Sequence, residues 1–161
     1  MRRPTSEGRG FTLTEILVTV AILGILAGTA IPLAQNSIKR EKEVELSRSL
    51  RLIREAIDAY KRLADEKKIK TEPGSDGYPP DLQTLVDGVE VSGGVDEGSG
   101  GKRIFKFLRR IPKDPLANSL DWGLRSSQDS PQADSWGGEN VYDVYSKSRA
   151  KALDGSKYRE W

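Results

Sequence analysis

The chain has 161 residues, with 26 Lys and Arg against 24 Asp and Glu, a formal net charge of +2, and neither cysteine nor histidine. No disulfide, no Ser-His-Asp or Cys-His relay and no imidazole or thiolate metal site can be built from it, which leaves oxygen donors suited to calcium or magnesium. So small a charge does not point to nucleic-acid binding by bulk electrostatics. The average conceals two compositions: residues 11–34 hold 16 apolar side chains in 24 positions, whereas residues 35–161 hold 41 in 127. The first ten residues carry Arg2, Arg3 and Arg9 against Glu7, so the remaining chain has 23 basic and 23 acidic side chains.

From Ile16 to Ala34 there is no charge, and the next ionisable residue is Lys39, so the uncharged span is 23 residues. A helix of about 20 residues is as long as a bilayer's hydrocarbon core is thick. A secretory signal fits poorly, because the stretch is long, lacks an A-x-A-like closing site and has Glu15 at its start. The span therefore reads as a membrane anchor.

Beyond Ser37 the residues become charged but the helical pattern continues. Leu46, Leu50, Ile53, Ile57, Tyr60 and Ala64 recur at spacings of four and three, with opposite charges one turn apart at Arg51 and Glu55, Arg54 and Asp58, Asp58 and Arg62, and Lys61 and Asp65. Fewer than three clean heptads favour a helix covering its own domain over a coiled coil. One long helix is predicted over 16–68, bent at Pro32. Pro73, Gly74 and Gly77 end it, and a short second helix is predicted over 81–86. The glycine-rich stretch 88–101 reads as a surface loop. Residues 104–108, 141–145 and, more weakly, 120–124 read as strands. The expected fold class is α+β, with a small C-terminal antiparallel sheet on the amphipathic lower half of a long N-terminal helix whose upper half is transmembrane.

The most informative segment is Gly10-Phe11-Thr12-Leu13-Thr14-Glu15, between a basic leader and the apolar helix. A carboxylate at the head of a membrane segment costs about 2.5–3.5 kcal/mol on insertion scales, so it needs a partner or an interfacial position. A cut after Gly10 would create an α-amino group on Phe11 one helical turn from Glu15. Pairing of the two between subunits offers a route from membrane monomers to a helical filament; an anchor with Glu15 resting among headgroups is the plainer alternative.

At these residues the chain resembles the type IV pilin and type II secretion pseudopilin superfamily, through GRGFTLTEILVTVAILGILAGTAIPLA over 8–34, with Pro32 at a helix-bending position. The resemblance implies a leader at 1–10, a transmembrane and assembly helix at 11–34, and a periplasmic globular domain at 35–161. It implies cleavage between Gly10 and Phe11 by a membrane aspartyl prepilin peptidase, methylation of the new amine, and contact of Glu15 with the Phe11 amine of a neighbouring subunit. The region from Gly24 to Pro32 is expected to lose helical structure in the fibre. Gly24 and Gly28 form a GxxxG pair, read either as a close-packing site or as a softening of the helix near Pro32.

Tyr78-Pro79-Pro80-Asp81-Leu82-Gln83-Thr84-Leu85 and Ile111-Pro112-Lys113-Asp114-Pro115 look like the G-type major pseudopilins. Pro112 and Pro115 fix the backbone on both sides of Asp114, whose carboxylate is placed to accept backbone N–H groups. Here Leu116-Ala117-Asn118-Ser119 stands where those proteins more often carry a Trp-Gly-Asn-Pro-Tyr-like segment. That departure puts in doubt the structural calcium that the resemblance implies. Asp121, Asp129, Asp134 and Asp143 are its local candidates; their spacing follows no local calcium code, and a solvated loop accounts for them equally well. No other cofactor is expected.

Trp122, Trp136, Tyr142, Tyr145 and Trp161 are more simply core than a stacking surface, so nucleic acid is not an expected partner. The basic run Lys102, Arg103, Lys106, Arg109, Arg110 and Lys113 suits one solvated strand face or a contact with Glu41, Glu43 and Glu45 of a neighbour. The predicted protein is a non-enzymatic, homopolymeric subunit of a type II secretion pseudopilus in the bacterial inner membrane. The implied partners are prepilin peptidase, minor pseudopilins and the inner-membrane assembly platform. The positive-inside count runs against a cytoplasmic leader, with three basic residues before the span and six from Lys39 to Arg54; the orientation follows from the resemblance. The alternatives are a type IV pilus subunit for adhesion, motility or DNA uptake, less favoured without cysteine, and a single-pass periplasmic binding or hydrolytic domain.

Overall fold

The computed structural model describes residues 10–92, 103–130, 133 and 135–161, with the backbone alone for 29–33. The first element, α1 (Leu13–Asp65), is a helix of 53 residues. It begins where it does because of Thr12. The Thr12 hydroxyl accepts the Glu15 N–H at 3.2 Å, and the Thr12 carbonyl accepts the Ile16 N–H at 3.2 Å. Thr12-x-x-Glu15 is therefore a capping-box pattern that starts the helix three residues before the uncharged span. At the other end Lys67 adopts φ 54°, with Lys68 N–H on the Leu63 carbonyl and Lys67 N–H on that of Ala64, a Schellman closure with lysine in the left-handed position. The backbone is helical through Pro32; the expected bend rests on a side chain outside the described residues.

The chain divides into two compact units, Met1–Lys39 and Arg40–Trp161. In the first, every side chain from Phe11 to Gly28 is exposed, including Leu13, Leu17, Leu23 and Ile25. Among the described residues no helix is long and apolar enough to cross a membrane. The run with described side chains, Leu13 to Gly28, stops short of the roughly 20 residues a span needs.

The second unit holds the core. Leu46, Leu50, Ile53, Ile57 and Tyr60, the stripe that the spacing predicts, are all buried, while Ala64 is only half-buried. They meet Leu82, Leu85, Leu108, Trp122, Val141, Val144 and Tyr158. Each such side chain contributes about 1.5–3 kcal/mol on full burial. Of the surface pairs expected on this helix, Lys61 and Asp65 form, whereas Arg54 turns away from Asp58.

The short helix α2 (Leu82–Asp87) is capped by Asp81, whose carboxylate accepts the Thr84 N–H at 2.7 Å and the Thr84 hydroxyl at 2.9 Å. Gly88 ends it at φ 86°, where a Cβ would lie 2.6 Å from the Phe105 carbonyl oxygen. Strands β1 (Val89–Val91) and β2 (Arg103–Phe105) then pair antiparallel, with Glu90 opposite Ile104. The surface loop expected over 88–101 thus begins with a strand, and its remainder, 93–102, lies outside the described residues. Strand β2 stops at Phe105 because the N–H groups of Phe107 and Leu108 turn to the Leu85 carbonyl, at 3.0 and 2.9 Å.

Strands β3 (Gly123–Arg125) and β4 (Asp143–Tyr145) form a second antiparallel pair, with Leu124 opposite Val144. Among the described residues the β structure is thus two two-stranded sheets, not the single small sheet expected. The weaker strand prediction at 120–124 is displaced toward Arg125, because Gly123 has to lie against the Tyr145 ring: a Cβ there would come within 2.3 Å of ring atoms. The fold is α+β, a long N-terminal helix with a small antiparallel C-terminal part.

Candidate functional site

The segment that the motif singles out is open. Gly10 is exposed, with nothing within 4 Å of the position a Cβ would occupy, and no left-handed backbone angle there calls for glycine. Phe11 is 79 % exposed, so the Gly10–Phe11 peptide stands clear of the protein's own core. Two residues on, the helix starts. Glu15 occupies its first turn, where the positive end of the helix dipole favours a carboxylate. Among the described residues Glu15 makes no ion pair. Thr12, which sequence reasoning passed over, is what fixes this geometry, and its signal was the Thr-x-x-Glu spacing. Pro32 lies in helical backbone, with its side chain outside the described residues.

Of the four candidate aspartates, the three that are described, Asp121, Asp129 and Asp143, have separate partners. Asp143 faces two arginines: Arg54 donates from Nε to Oδ1 at 2.7 Å and from Nη2 to Oδ2 at 3.4 Å, and Arg125 donates from Nη1 to Oδ2 at 3.4 Å. Arg54 also donates to the carbonyls of Val144, at 3.2 Å, and Trp161, at 2.6 Å, tying α1 to β4 and to residue 161. Asp129 accepts the N–H groups of Ser126 and Gly137, at 2.8 and 3.1 Å, which closes a loop. Exposed Asp121 pairs with Lys147 at 2.6 Å. Asp134 lies outside the described residues. Among the described residues no group of three acidic side chains converges. Among the described residues Asp121, Asp129 and Asp143 do not converge on one point, and with Asp134 outside them calcium stays an expectation of the resemblance.

Asp114 behaves as the two flanking prolines imply. It is fully buried; its Oδ1 accepts the N–H groups of Leu116 and Ala117 at 2.8 and 3.0 Å, and its Oδ2 accepts the Ser146 hydroxyl at 2.6 Å. The Pro-x-Asp-Pro turn is thereby fastened to the residue after β4. Trp122 and Tyr145 are buried, and the Trp122 indole donates to the Pro112 carbonyl at 2.9 Å. Glu43, one of the carboxylates considered for contact with a neighbour's basic run, accepts hydrogen bonds from Leu153 N–H and the Tyr158 hydroxyl of its own chain.

These features have close counterparts. The family model for the prokaryotic N-terminal methylation motif matches residues 8–31. The chain is 33 % identical over 127 residues to type II secretion system core protein G of Klebsiella pneumoniae, covering 78 % of this chain and 80 % of that protein. It is 31 % identical over 119 residues to the Escherichia coli K12 protein of the same name, covering 72 % of each. The type IV major alpha-pilin of Moraxella bovis is 30 % identical over 102 residues, covering 57 % of this chain and 64 % of the pilin. No solved structure matches significantly. A methylation motif that runs into the first part of a long helix, together with this likeness along most of both chains, shows that the chain belongs to the type II secretion system core protein G family.

Proposed function

We propose that this chain is the major structural subunit of a type II secretion pseudopilus, processed at Gly10–Phe11, held in the inner membrane by residues 11–34, and polymerised with residues 35–161 in the periplasm. The observation that carries the reading is the exposed Gly10–Phe11 peptide one turn ahead of Glu15, which makes no ion pair among the described residues. Cleavage there leaves a cation on Phe11 and an anion on Glu15 at the head of a greasy helix. A helix whose apolar side chains are all exposed from Leu13 to Leu26 is stable only against lipid or against copies of itself. The uncharged span of 23 residues measures about 35 Å at helical rise, enough to cross a bilayer. Each helix then exchanges lipid for neighbours on assembly, and the Phe11 amine and Glu15 carboxylate offset each other's burial across the contact.

In this role the subunit is structural, and its partners are copies of itself, prepilin peptidase, minor pseudopilins and an inner-membrane platform. A fibre so built would push folded proteins toward an outer-membrane channel. The likeness to a type IV pilin supports a second reading, a surface pilus subunit. Intact mass and N-terminal sequencing of the mature protein test the proposal. A start at methylated Phe11 is expected; an intact Met1 or a cut after residue 34 would defeat it. Imaging of the fibres then separates a short periplasmic pseudopilus from a pilus outside the cell.

A further inference from the structure

Residues 144–159 carry five basic side chains against one acidic side chain, Asp154. After β4 the chain doubles back on itself: Lys151 and Lys157 form an antiparallel bridge, and the Ala152 N–H donates to the Ser156 carbonyl at 2.8 Å. The return brings Lys147 and Arg149, on the outgoing segment, beside Lys157 and Arg159, on the returning one. They surround a hollow of about 480 Å³ together with the hydroxyls of Ser146 and Ser148, and no carboxylate lines it among the described residues. Like charges gathered on one wall repel one another, and an anion between them relieves that repulsion.

The four cations are not equally engaged. Arg159 is held over the Tyr145 ring and donates to the Ala133 carbonyl at 3.3 Å, so it forms fixed wall. Lys147 meets Asp121, itself 71 % exposed, and Lys157 stands 3.6 Å from exposed Glu160; exposed pairs of this kind contribute little and yield readily to a ligand. Arg149 is exposed and has no ion pair among the described residues. Of the two hydroxyls, Ser146 donates to buried Asp114 at 2.6 Å and accepts the Ser148 N–H at 3.1 Å, which pins the floor of the hollow. Ser148 Oγ accepts the Ala150 N–H at 3.4 Å and keeps its own proton to donate.

A hollow of this size falls in the range of small-ligand sites, about 300–1,000 Å³, and admits more than a bare ion. Cations on both of its sides suit an anion with more than one charge. A phosphate monoester carries about −1.5 to −2 near neutral pH and presents three acceptor oxygens, enough for a guanidinium fork, an ammonium group and a hydroxyl at once; a carboxylate brings a single charge. We propose that this hollow binds a phosphate monoester, either free in solution or borne by a lipid headgroup. The site lies within residues 145–159 and holds whether or not the chain polymerises, so it is independent of the pseudopilus reading. An anion there joins the segment after β4 to the one that carries Tyr158.

The test uses the full-length chain in micelles of an uncharged detergent at constant ionic strength. One arm titrates it with inorganic phosphate and with glycerol 3-phosphate; the other uses short-chain phosphatidic acid, with phosphatidylcholine of the same chain length as control. Saturable binding at one site by calorimetry, with a higher melting temperature, is expected. Arg149→Gln with Lys157→Gln, both exposed, should weaken it by about tenfold or more. Lys106→Gln with Arg110→Gln, exposed cations that do not line the hollow, should leave it unchanged. Arg149→Lys keeps the charge and should keep most of the binding, and urea midpoints without ligand confirm that each variant folds. Saturation by the soluble phosphates identifies a free ligand, and saturation by phosphatidic acid alone a lipid headgroup; either supports the site. No saturable binding in either arm, phosphatidylcholine bound as tightly as phosphatidic acid with the soluble phosphates unbound, or equal affinities in the two double variants overturns it.

Discussion

The hydroxyl of Tyr158 donates to Glu43 Oε1 at 2.8 Å, joining residues 115 positions apart, and the same oxygen accepts the Leu153 N–H at 2.8 Å. Tyr158 is fully buried. Burial first, and the hydrogen bond to Glu43 second, push its phenol up to about 12. An unfolded tyrosine titrates near 10. Between the two values the unfolded chain loses the proton and the folded chain keeps it, so this contribution is whole below pH 10 and is lost as pH rises through about 12. The melting temperature should therefore fall steeply over that window. Tyr158→Phe should flatten the fall, leaving the smaller share from Tyr60 and Tyr78, which burial also raises. An unchanged slope in the Phe variant would refute the assignment.

Arg54 and Asp143 join α1 to β4. Arg54→Ala removes bonds to Asp143 and to two carbonyls, whereas Asp143→Ala leaves those carbonyl bonds in place. Hydrogen bonds to charged groups contribute about 1.5–3 kcal/mol, so both variants should unfold at lower urea, Arg54→Ala more so. A double-mutant cycle should return a coupling of about 1 kcal/mol; additive losses would show that the two residues act separately.

Two glycines should respond in opposite ways. Gly123→Ala drives a methyl into the Tyr145 ring and should cost about 1–3 kcal/mol, visible as a lower melting temperature with processing intact. Gly10→Ala meets nothing and should leave stability within about 0.5 kcal/mol, while the leader stays attached by intact mass. Equal effects on stability, or normal processing of Gly10→Ala, would contradict the reading of Gly10 as a residue required by the peptidase rather than by the fold.

Asp114→Ala strands two backbone amides and the Ser146 hydroxyl. A loss of about 2–4 kcal/mol is expected from unpaired buried groups. Asp114→Asn keeps an oxygen for the amides and offers its NH2 to a hydroxyl able to turn and accept, so it should retain more than half of that stability. Urea midpoints at constant slope measure both; an Asn variant as weak as Ala would mean that the charge matters more than the bonds.

The core stripe on α1 was legible because a helix buries one face at a fixed period, and Leu46, Leu50, Ile53, Ile57 and Tyr60 repeat at that period. The turn at Asp114 was legible because proline restricts φ whatever surrounds it. Strand β1 was not: Val89–Val91 is three residues inside a glycine-rich stretch, and its pairing with β2 is a non-local choice. The helix surface pairs failed in part for a similar reason. Spacing puts Arg54 within reach of Asp58, but a partly buried carboxylate with two open acceptors on β4 competes better than an exposed one.

The sequence alone determined the family, the long helix, the cleavage motif and the need of an apolar helix for lipid or neighbours, since these depend on composition and on local periodicity. Only the tertiary structure decided which charges pair within the chain. It turned Glu43 and Arg54 inward and gave Asp121, Asp129 and Asp143 separate partners. Charges attract over distances that sequence spacing does not encode, and the chain must fold before their nearest partners are known.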